Sequence, residues 1–456
     1  MKSISGNPFT DILCRMGSSV LTCLTILTVT LSGWAQAKTD TIYTGNTLTA
    51  SLVTCYPGPE VYELCGHEAL RIRGIDSNGL PVDSVWNYGV FDFNSPNFIY
   101  RFVKGETDYM VLGYPFDRFL PEYRNRGSKV VEQDLNLTPE EVEHLRALLQ
   151  TNSLPANRVY RYNYVKDNCS TRIVDMVDSA STRPIIYPKN AGYKSFRDVM
   201  RHYHEGYPWY QFGIDLALGS LIDLPVTSRE ETFVPVILES KASDAHFEDS
   251  DTQLIRETRI LNQGVGDARM PATSPWLTPL AASIYLLVIC IAVSIFNWRT
   301  HTLSRWWFAL YFLLLGLSGC VIWFLVFISS HYATSPNILA IWLNPLQLII
   351  PVCIWWRKAR PAVTAMIYIN ILLAVLLLIV WPFQPQSANP AFFPLMASDI
   401  VLCLGYIASG AQFTPAVTRT ATGIKGQTTV AQSPTIKTDV TTLIINANLS
   451  CGNHRY

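Results

Sequence analysis

The 456-residue sequence predicts an α+β domain followed by an all-α membrane domain of five helices. Hydrophobic residues make up 49% of the chain and charged residues only 15%, a balance typical of a soluble domain joined to a membrane domain. Strand-like alternation lies in the first half of the chain, and the long apolar segments crowd the second half. The formal net charge of +0 gives no indication of a nucleic-acid partner.

The first 37 residues have the pattern of an export signal. Arg15 supplies the positive region, an apolar stretch covers residues 20–34, and Ala35-Gln36-Ala37 has the small residues of a cleavage site. We expect cleavage there; an uncleaved anchor helix is the alternative. Either way, the domain that follows is predicted to lie outside the cytoplasm.

Residues 40–240 carry the patterns of a folded domain. Stretches of alternating apolar and polar side chains have the period of two that is typical of strands. Glycine and proline turns separate them. The predicted strands span residues 70–73, 82–88, 98–103, 109–114 and 129–135.

Two helices are predicted inside this domain. The first begins at Thr138, which can cap it, and Glu141 completes a capping box. The second begins at Cys169, with Asp167 or Asn168 as its N-cap. The thiol then lies in the first turn, where unpaired N–H groups and the positive end of the helix dipole favour the thiolate.

A polar stretch, residues 241–275, predicts a linker or a helix that leads to the membrane domain at residues 276–410. Five apolar segments in that domain are each near the ~20 residues needed to cross ~30 Å of hydrocarbon. The third and fifth are short and contain proline. The segments span residues 276–296, 306–328, 339–356, 362–381 and 392–407. Residues 411–456 are rich in Thr, Ala and Ser without periodicity, which predicts a disordered cytoplasmic tail.

The connections between these segments predict the orientation of the chain. Arg299 and Arg305 lie in the first connection, and Arg357, Lys358 and Arg360 lie in the third. The second and fourth connections carry neither Lys nor Arg. Because positive charge stays on the cytoplasmic side, the first helix enters the membrane from outside. This agrees independently with an exported N-terminal domain.

Cys169 and His67 are the predicted catalytic pair. If Cys55 and Cys65 form a disulfide in an oxidising compartment, Cys169 is the one thiol left over in the exported domain. A cysteine at a helix start with a histidine on an upstream strand is the minimum for acyl transfer through a thiol. Imidazole can take the thiol proton and return it to a leaving group. Cys65 lies close to His67 and is therefore the rival thiol.

A third group should orient the imidazole. Asn87, on the next strand, and Asp92 are the candidates, and the sequence does not choose between them. Arg71 and Arg172 can bind a phosphate or a carboxylate of a substrate, although ordinary salt bridges are an equal alternative.

His331 and Asn337 lie at the two ends of a loop on the exported side of the membrane, so both are candidates for substrate binding. His202 and His204 have no Cys or carboxylate nearby at ligand spacing, and the chain has no phosphate-binding glycine loop. We therefore predict neither a metal nor a cofactor.

Several motifs occur in a fixed order along the chain. They are LCGHEALR at 64–71, NYGVFDF at 87–93, KGETDY at 104–109, DNCSTR at 167–172, GIDLALG at 213–219, HYATSPN at 331–337 and WLNPL at 342–346. In these motifs the chain resembles the Lnb family of bacterial lipoprotein N-acyltransferases, from about residue 40 to residue 410. The order of histidine before an Asn-Cys pair also resembles the circularly permuted, NlpC-type papain-like fold.

The resemblance implies a function and its partners. Cys169 would take an acyl chain from a membrane phospholipid as a thioester, while His67 protonates the departing alkoxide. The acceptor would be the α-amine of a diacylglyceryl-cysteine lipoprotein. The resemblance also implies a permuted papain-like domain in the periplasm, attached to the bacterial inner membrane by several spans.

The sequence leaves two other functions open. A cysteine hydrolase (a peptidase, amidase or phospholipase) would use the same pair and let water complete the reaction. A sensor or scaffold with a degenerate site would need neither Cys169 nor His67.

Overall fold

The computed structural model describes residues 47–58, 60, 63–92, 94–188, 192–265 and 273–410. The predicted export signal, residues 1–37, and the predicted tail, residues 411–456, lie outside the described residues.

A seven-stranded sheet with antiparallel pairing throughout forms the centre of the N-terminal domain. The strands are β1 (Thr49–Cys55), β2 (His67–Ile75), β3 (Pro81–Val90), β4 (Asp108–Pro115), β5 (Val130–Leu135), β6 (Val159–Arg161), β7 (Ile185–Ile186), β8 (His246–Phe247) and β9 (Ile255–Asn262). The order in the large sheet is β6-β4-β3-β2-β1-β5-β9, while β7 and β8 form a separate pair.

Helices cover both faces of this sheet. They are α1 (Phe98–Lys104), α2 (Phe116–Arg126), α3 (Pro139–Asn152), α4 (Cys169–Ala180), α5 (Phe196–Tyr203), α6 (Pro208–Ala217) and α7 (Pro235–Asp244). On one face, Leu70 and Ile72 share a core with Leu145 of α3 and Ile173 of α4. On the other face, α2 packs against β1, β2 and β3 through a smaller core around Phe119. The prediction of a mixed domain of strands and helices is confirmed.

Residues 98–103 form helix α1 rather than the predicted strand. Over six residues, a period of two and a period of 3.6 both fit the apolar positions, so the sequence pattern was ambiguous. Two left-handed residues bound the helix, Asn97 with φ 55° before it and Gly105 with φ 75° after it. Arg101 connects the end of this helix to the start of β4, because its Nη2 donates to the Asp108 carboxylate at 2.8 Å.

The segment predicted as a linker, residues 241–275, belongs largely to the N-terminal domain. Helix α7 crosses the predicted boundary at residue 240, and β9 pairs with β5 along the edge of the sheet. The polarity that suggested a linker comes from edge-strand charges: Arg259 bonds both Glu132, at 3.1 Å, and Asp134, at 2.6 Å. Charged side chains are common on edge strands, where they discourage pairing with other chains.

The C-terminal region is helical. Its helices are α8 (Pro279–Thr300), α9 (Arg305–Phe327), α10 (Leu339–Trp342), α11 (Ile349–Cys353), α12 (Arg360–Val380) and α13 (Phe392–Ala408). Among the described residues, three helical stretches are long and apolar enough to cross a membrane: Pro279–Thr300, Arg305–Phe327 and Arg357–Phe383. The third predicted segment is interrupted between α10 and α11, next to Pro345, and α13 has 17 residues.

The N-terminal domain contacts the bundle at the end opposite the basic connections. The backbone N–H of Gly219 donates to Ala333 O at 2.8 Å, in the loop that follows α9. In the loop before α13, Asn389 donates to the Asp215 carboxylate at 2.9 Å. The domain therefore lies on the side that the arginines and lysines avoid, as the positive-inside rule requires.

Candidate active site

Cys169 is the first residue of α4. The cap is Asn168, whose Oδ1 accepts from the Thr171 N–H at 3.0 Å while Thr171 Oγ1 accepts from the Asn168 N–H at 2.8 Å. The Asn168 side-chain amide also donates to the carbonyls of Tyr164 and Phe233. These bonds fix where the helix begins, and they hold Cys169 at a buried position where it is only 8% exposed.

His67 is the first residue of β2, and Asn87 on β3 orients its ring. Asn87 Oδ1 lies 2.6 Å from His67 Nε2 and accepts its proton, while Asn87 Nδ2 donates to the Tyr114 hydroxyl at 3.0 Å. The ring of Tyr123 stacks on the imidazole with 6.3 Å between centroids. This arrangement protonates Nε2 and leaves Nδ1 with the lone pair that a base needs.

The thiol and the imidazole converge on Gly89. This residue has φ 85° and lies in the irregular part of β3, between Asn87 and Val90. A Cβ placed on Gly89 would lie 3.8 Å from Cys169 Cβ and 3.9 Å from His67 Cε1. The sheet irregularity and the missing side chain together leave one small space bounded by the two predicted catalytic groups.

Burial keeps both groups neutral. It raises the pKa of the Cys169 thiol, and the backbone N–H groups of Glu68 and Ser170 only partly oppose this. Burial also lowers the pKa of His67, against the bond to Asn87, which raises it. The N–H groups at the start of α4 thus lower the Cys169 pKa, as predicted, but burial raises this pKa by more. The resting pair is therefore a thiol and a neutral imidazole.

Burial also acts on Glu68, beside His67 in sequence. Its side chain is fully buried, and burial raises its carboxyl pKa well above the ordinary value. Thr54 Oγ1 donates to one of its oxygens at 2.9 Å. Burial thus favours the neutral form of this carboxyl.

The other two thiols of the domain are free rather than joined. Cys55 is buried on β1 directly opposite His67 in the strand register. Cys65 Sγ lies 3.2 Å from the Tyr164 hydroxyl, and burial raises the pKa of Cys65 to about 11. Neither sulfur occupies a helix start, whereas Cys169 does.

The two candidates for the orienting group lie in different surroundings. Asp92 is exposed and closes a local turn, with its Oδ1 accepting from the Asn94 N–H at 2.8 Å. The chain carries Asp92 past the sheet irregularity and away from the imidazole. Asn87 stands at hydrogen-bond distance from His67.

The two arginines predicted to bind substrate are engaged in ion pairs. Arg71 contacts Asp83 at 2.7 Å and Glu132 at 3.0 Å. Arg172 donates from Nη2 to Asp167, the other candidate cap, at 2.8 Å. Both arginines therefore form ordinary salt bridges, the alternative to substrate binding that the sequence left open.

His331 and Asn337 join the two domains instead of lining an open site. His331 Nε2 donates to Phe102 O on α1 at 2.7 Å. Asn337 is buried; its Nδ2 donates to Leu216 O on α6 at 3.0 Å, and its Oδ1 accepts from Gln386 at 2.9 Å. These contacts use His331 Nε2 and both ends of the Asn337 amide within the protein, and a role of either residue in substrate binding stays a prediction.

Sequence reasoning missed Gly89 and Tyr114 as parts of the site. Gly89 belongs to the NYGVFDF motif and follows Asn87 by two residues, and this position could have indicated its part in the site. Tyr114 had no such signal, because its contact with Asn87 depends on the pairing of β4 with β3. Within the described part of the chain, no cluster of three or more His, Cys, Asp or Glu side chains could hold a metal ion.

Two family models match the chain. The model of the Lnb N-terminal periplasmic domain matches residues 35–201, which include His67, Asn87 and Cys169. The model of the Lnb transmembrane domain matches residues 271–409. No curated protein and no solved structure matches the chain.

Proposed function

The chain belongs to the Lnb family, and on that basis we propose that it is a lipoprotein N-acyltransferase of the bacterial inner membrane. The two matched domains make it a membrane protein with a periplasmic domain, of a kind that modifies lipoproteins. The acyl donor in this proposal is a membrane phospholipid, and the acceptor is the α-amine of a diacylglyceryl-cysteine lipoprotein.

One observation carries the proposal: Cys169 and His67 approach the same point at Gly89, with Asn87 bonded to the imidazole. A nucleophile, a base and an orienting group are the three parts that thiol-based acyl transfer needs. The histidine strand precedes the cysteine helix, and we infer the permuted papain-like order from this.

In the first step, Cys169 Sγ attacks the carbonyl carbon of the phospholipid ester as His67 Nδ1 takes the thiol proton. The ester C–O bond then breaks, and His67 returns the proton to the departing alkoxide. The products are a lysophospholipid and an acyl thioester on Cys169. Because the thiol is neutral at rest, a base in contact with it is necessary for this step.

In the second step, the lipoprotein α-amine attacks the thioester. Its pKa of ~8 leaves a useful fraction unprotonated near neutral pH. His67 accepts the amine proton, the C–S bond breaks, and the proton passes to the sulfur. The product is an amide, and the thiol–imidazole pair is restored.

The depth of the thiol favours acyl transfer over hydrolysis. Cys169 is 8% exposed and belongs to the main apolar core of the domain. A thioester held there is shielded from water, which is the competing nucleophile in a hydrolase. We also infer that α10–α11 and α13 complete a set of five spans; α13, at ~25 Å, is slightly shorter than the hydrocarbon layer.

The test is mass spectrometry of the N-terminal lipopeptide of a reporter lipoprotein, in cells that contain no other N-acyltransferase. Wild-type protein should yield the triacyl peptide and Cys169→Ala the diacyl peptide. Cys65→Ala is the matched control and should still yield the triacyl form.

A diacyl peptide with all three proteins, each present in the membrane, would refute acyl transfer and favour a hydrolase. A triacyl peptide from Cys169→Ala together with a diacyl peptide from Cys65→Ala would assign the nucleophile to Cys65.

A further inference from the structure

An open apolar groove runs between α1 of the periplasmic domain and the outer end of α9 in the membrane. We call it the α1–α9 groove. Its walls include Phe98, Ile99, Tyr100 and Val103 on one side and Val321 and Phe324 on the other. The rings of Tyr100 and Phe324 meet across it, with 6.2 Å between centroids.

Helix α1 exposes apolar side chains that a water-facing helix would not carry. Ile99 is 78% exposed and Tyr100 is 55% exposed, and the two are adjacent. Its basic residues face its own domain, since Arg101 pairs with Asp108 and Lys104 is held by an ion pair as well. A short helix with an apolar outer face beside a spanning helix is suited to the membrane interface.

One wall of the groove belongs to the apolar spanning helix α9. Val321 lies six residues before the outer end of α9, at Phe327. At the rise of an α-helix, this is a depth of roughly 9 Å. The α9 wall therefore faces acyl chains, and phospholipid is the lipid always present at that wall.

A hydrogen-bonded latch holds α1 against α9. Ser329 Oγ donates to Val103 O at 3.0 Å, and the Ser330 N–H donates to Lys104 O at 2.8 Å. A Cβ on Gly105 would lie 2.7 Å from the His331 nitrogen, so only glycine allows this approach. The groove is consequently a fixed feature of the joined domains.

A line of aromatic rings leads from the groove toward the thiol. Phe98 is 5.7 Å from Phe91, Phe91 is 4.8 Å from Tyr109, and Tyr109 is stacked on Tyr162 at 4.2 Å between centroids. Phe91, Tyr109 and Tyr162 pack in the same core as Cys169. Apolar contacts are thus continuous from the membrane to the catalytic helix.

We propose that the α1–α9 groove binds an acyl chain of a membrane phospholipid and directs its ester toward Cys169. The direction toward Cys169 rests on the proposed acyltransferase function, whereas binding of the chain does not. The latch holds the groove against the periplasmic domain, and the aromatic contacts connect the groove with the core that contains Cys169.

The binding test uses full-length protein carrying Cys169→Ala, so that no chemistry intervenes. The protein is reconstituted in phosphatidylethanolamine and phosphatidylglycerol vesicles that contain phosphatidylethanolamine with a diazirine-bearing acyl chain. After illumination, peptide mass spectrometry should find label on α1, with the lipid-facing helix α8 as the internal reference. Adding Val321→Trp should reduce the α1 label about tenfold, the loss expected when about two methylene groups leave an apolar site.

Leu313→Trp is the matched control, because Leu313 is lipid-exposed on α9 but outside the groove. It should leave the α1 label unchanged. Equal α1 label with and without Val321→Trp, or label on α8 but none on α1, would overturn the proposal.

A second measurement separates this inference from the proposed function. With Cys169 intact, Val321→Trp should slow thioester formation about tenfold, for the same loss of burial, while Leu313→Trp should not. Groove labelling sensitive to Val321→Trp, without thioester or triacyl product in wild type, would support the lipid site and refute the acyltransferase. Triacyl product at the wild-type rate from Val321→Trp would refute the groove and keep the acyltransferase.

Discussion

At the residue scale, the site depends on how solvent exclusion changes two ordinary side chains. Burial raises the Cys169 pKa and lowers the His67 pKa, so neither group is charged at rest. In the proposed mechanism, the thiol becomes nucleophilic only as its proton moves to the imidazole. This makes the orientation of His67, fixed by Asn87, as important as the presence of the two groups.

Asn87→Ala should lower the rate of thioester formation between roughly 10-fold and 100-fold, part of the 10²–10⁴-fold that a positioned base supplies. The ring would keep its place in the strand but lose the acceptor that protonates Nε2. Tyr114→Phe removes only the hydroxyl that holds the Asn87 amide, and its effect should be smaller. Single-turnover kinetics on both variants measures this, and an Asn87→Ala rate equal to wild type would exclude Asn87 as the orienting residue.

The pH profile of kcat/KM for the phospholipid donor, which reports thioester formation alone, should follow His67 on its acid side. Only the neutral imidazole accepts the thiol proton, so activity falls as pH drops through the His67 pKa. Burial lowers that pKa from 6.5, which places the acid limb below pH 6.5. An acid limb at or above pH 6.5 would contradict the neutral pair.

At the element scale, the N-terminus of α4 connects stability with catalysis. Asn168 closes a capping box with Thr171 and also donates to two backbone carbonyls from other parts of the chain. Helix α3 begins with a capping box as well, at Thr138 and Glu141, but far from any proposed chemistry. The two helix starts therefore form a natural comparison.

Asn168→Ala should destabilise the periplasmic domain by about 2 kcal/mol or more, from the lost cap and from buried carbonyls without donors. Activity should fall with it, since the cap positions Cys169. Thr138→Ala should cost about 1 kcal/mol and leave the specific activity of folded protein unchanged. Thermal unfolding in detergent, paired with thioester assays below the transition, measures both; equal activity in the two variants would show that the cap does not aim the thiol.

At the scale of the whole molecule, the two domains are joined by buried polar contacts. Arg197 is fully buried and pairs with Asp215 at 2.8 Å and with Asp223 at 2.9 Å. Both carboxylates also accept from the loop before α13, through Asn389 and the Ser387 N–H. This cluster fixes the position of the periplasmic domain relative to the membrane helices. It therefore also fixes the distance of the candidate active site from the membrane.

Gly219→Ala should weaken this junction. The added Cβ would lie 2.1 Å from Pro336 O, a backbone atom of the membrane domain. This clash can be relieved only if the loop around Pro336 moves. Overpacking of this kind costs about 1–3 kcal/mol. We expect faster hydrogen–deuterium exchange in residues 331–337 and lower activity.

Gly213→Ala is the matched control for this prediction, because Gly213 lies on α6 with open space around it. It should leave exchange and activity unchanged. Identical exchange in the two variants would show that the contact at Gly219 does not hold the domains together.

Features with local causes could be predicted from the sequence alone. The start of α4 follows from the capping chemistry of Asn168, and apolar content identifies a helical membrane region. Short motifs also identified His67 and Cys169 as a candidate pair. A helix start and a strand pattern are local features, so both can be recognised before the distant contacts of the chain are known.

Features that depend on distant parts of the chain became visible only in the folded protein. Sheet pairing and the irregularity at Gly89 brought Asn87, and not Asp92, to the imidazole. Pairing with β5 made β9 a strand of the domain, and hydrogen bonds from the loop after α9 fixed the position of helix α1. Burial, which no local pattern encodes, reversed the expected charge of Cys169, since the energy of an ion depends on all the groups that keep water away from it.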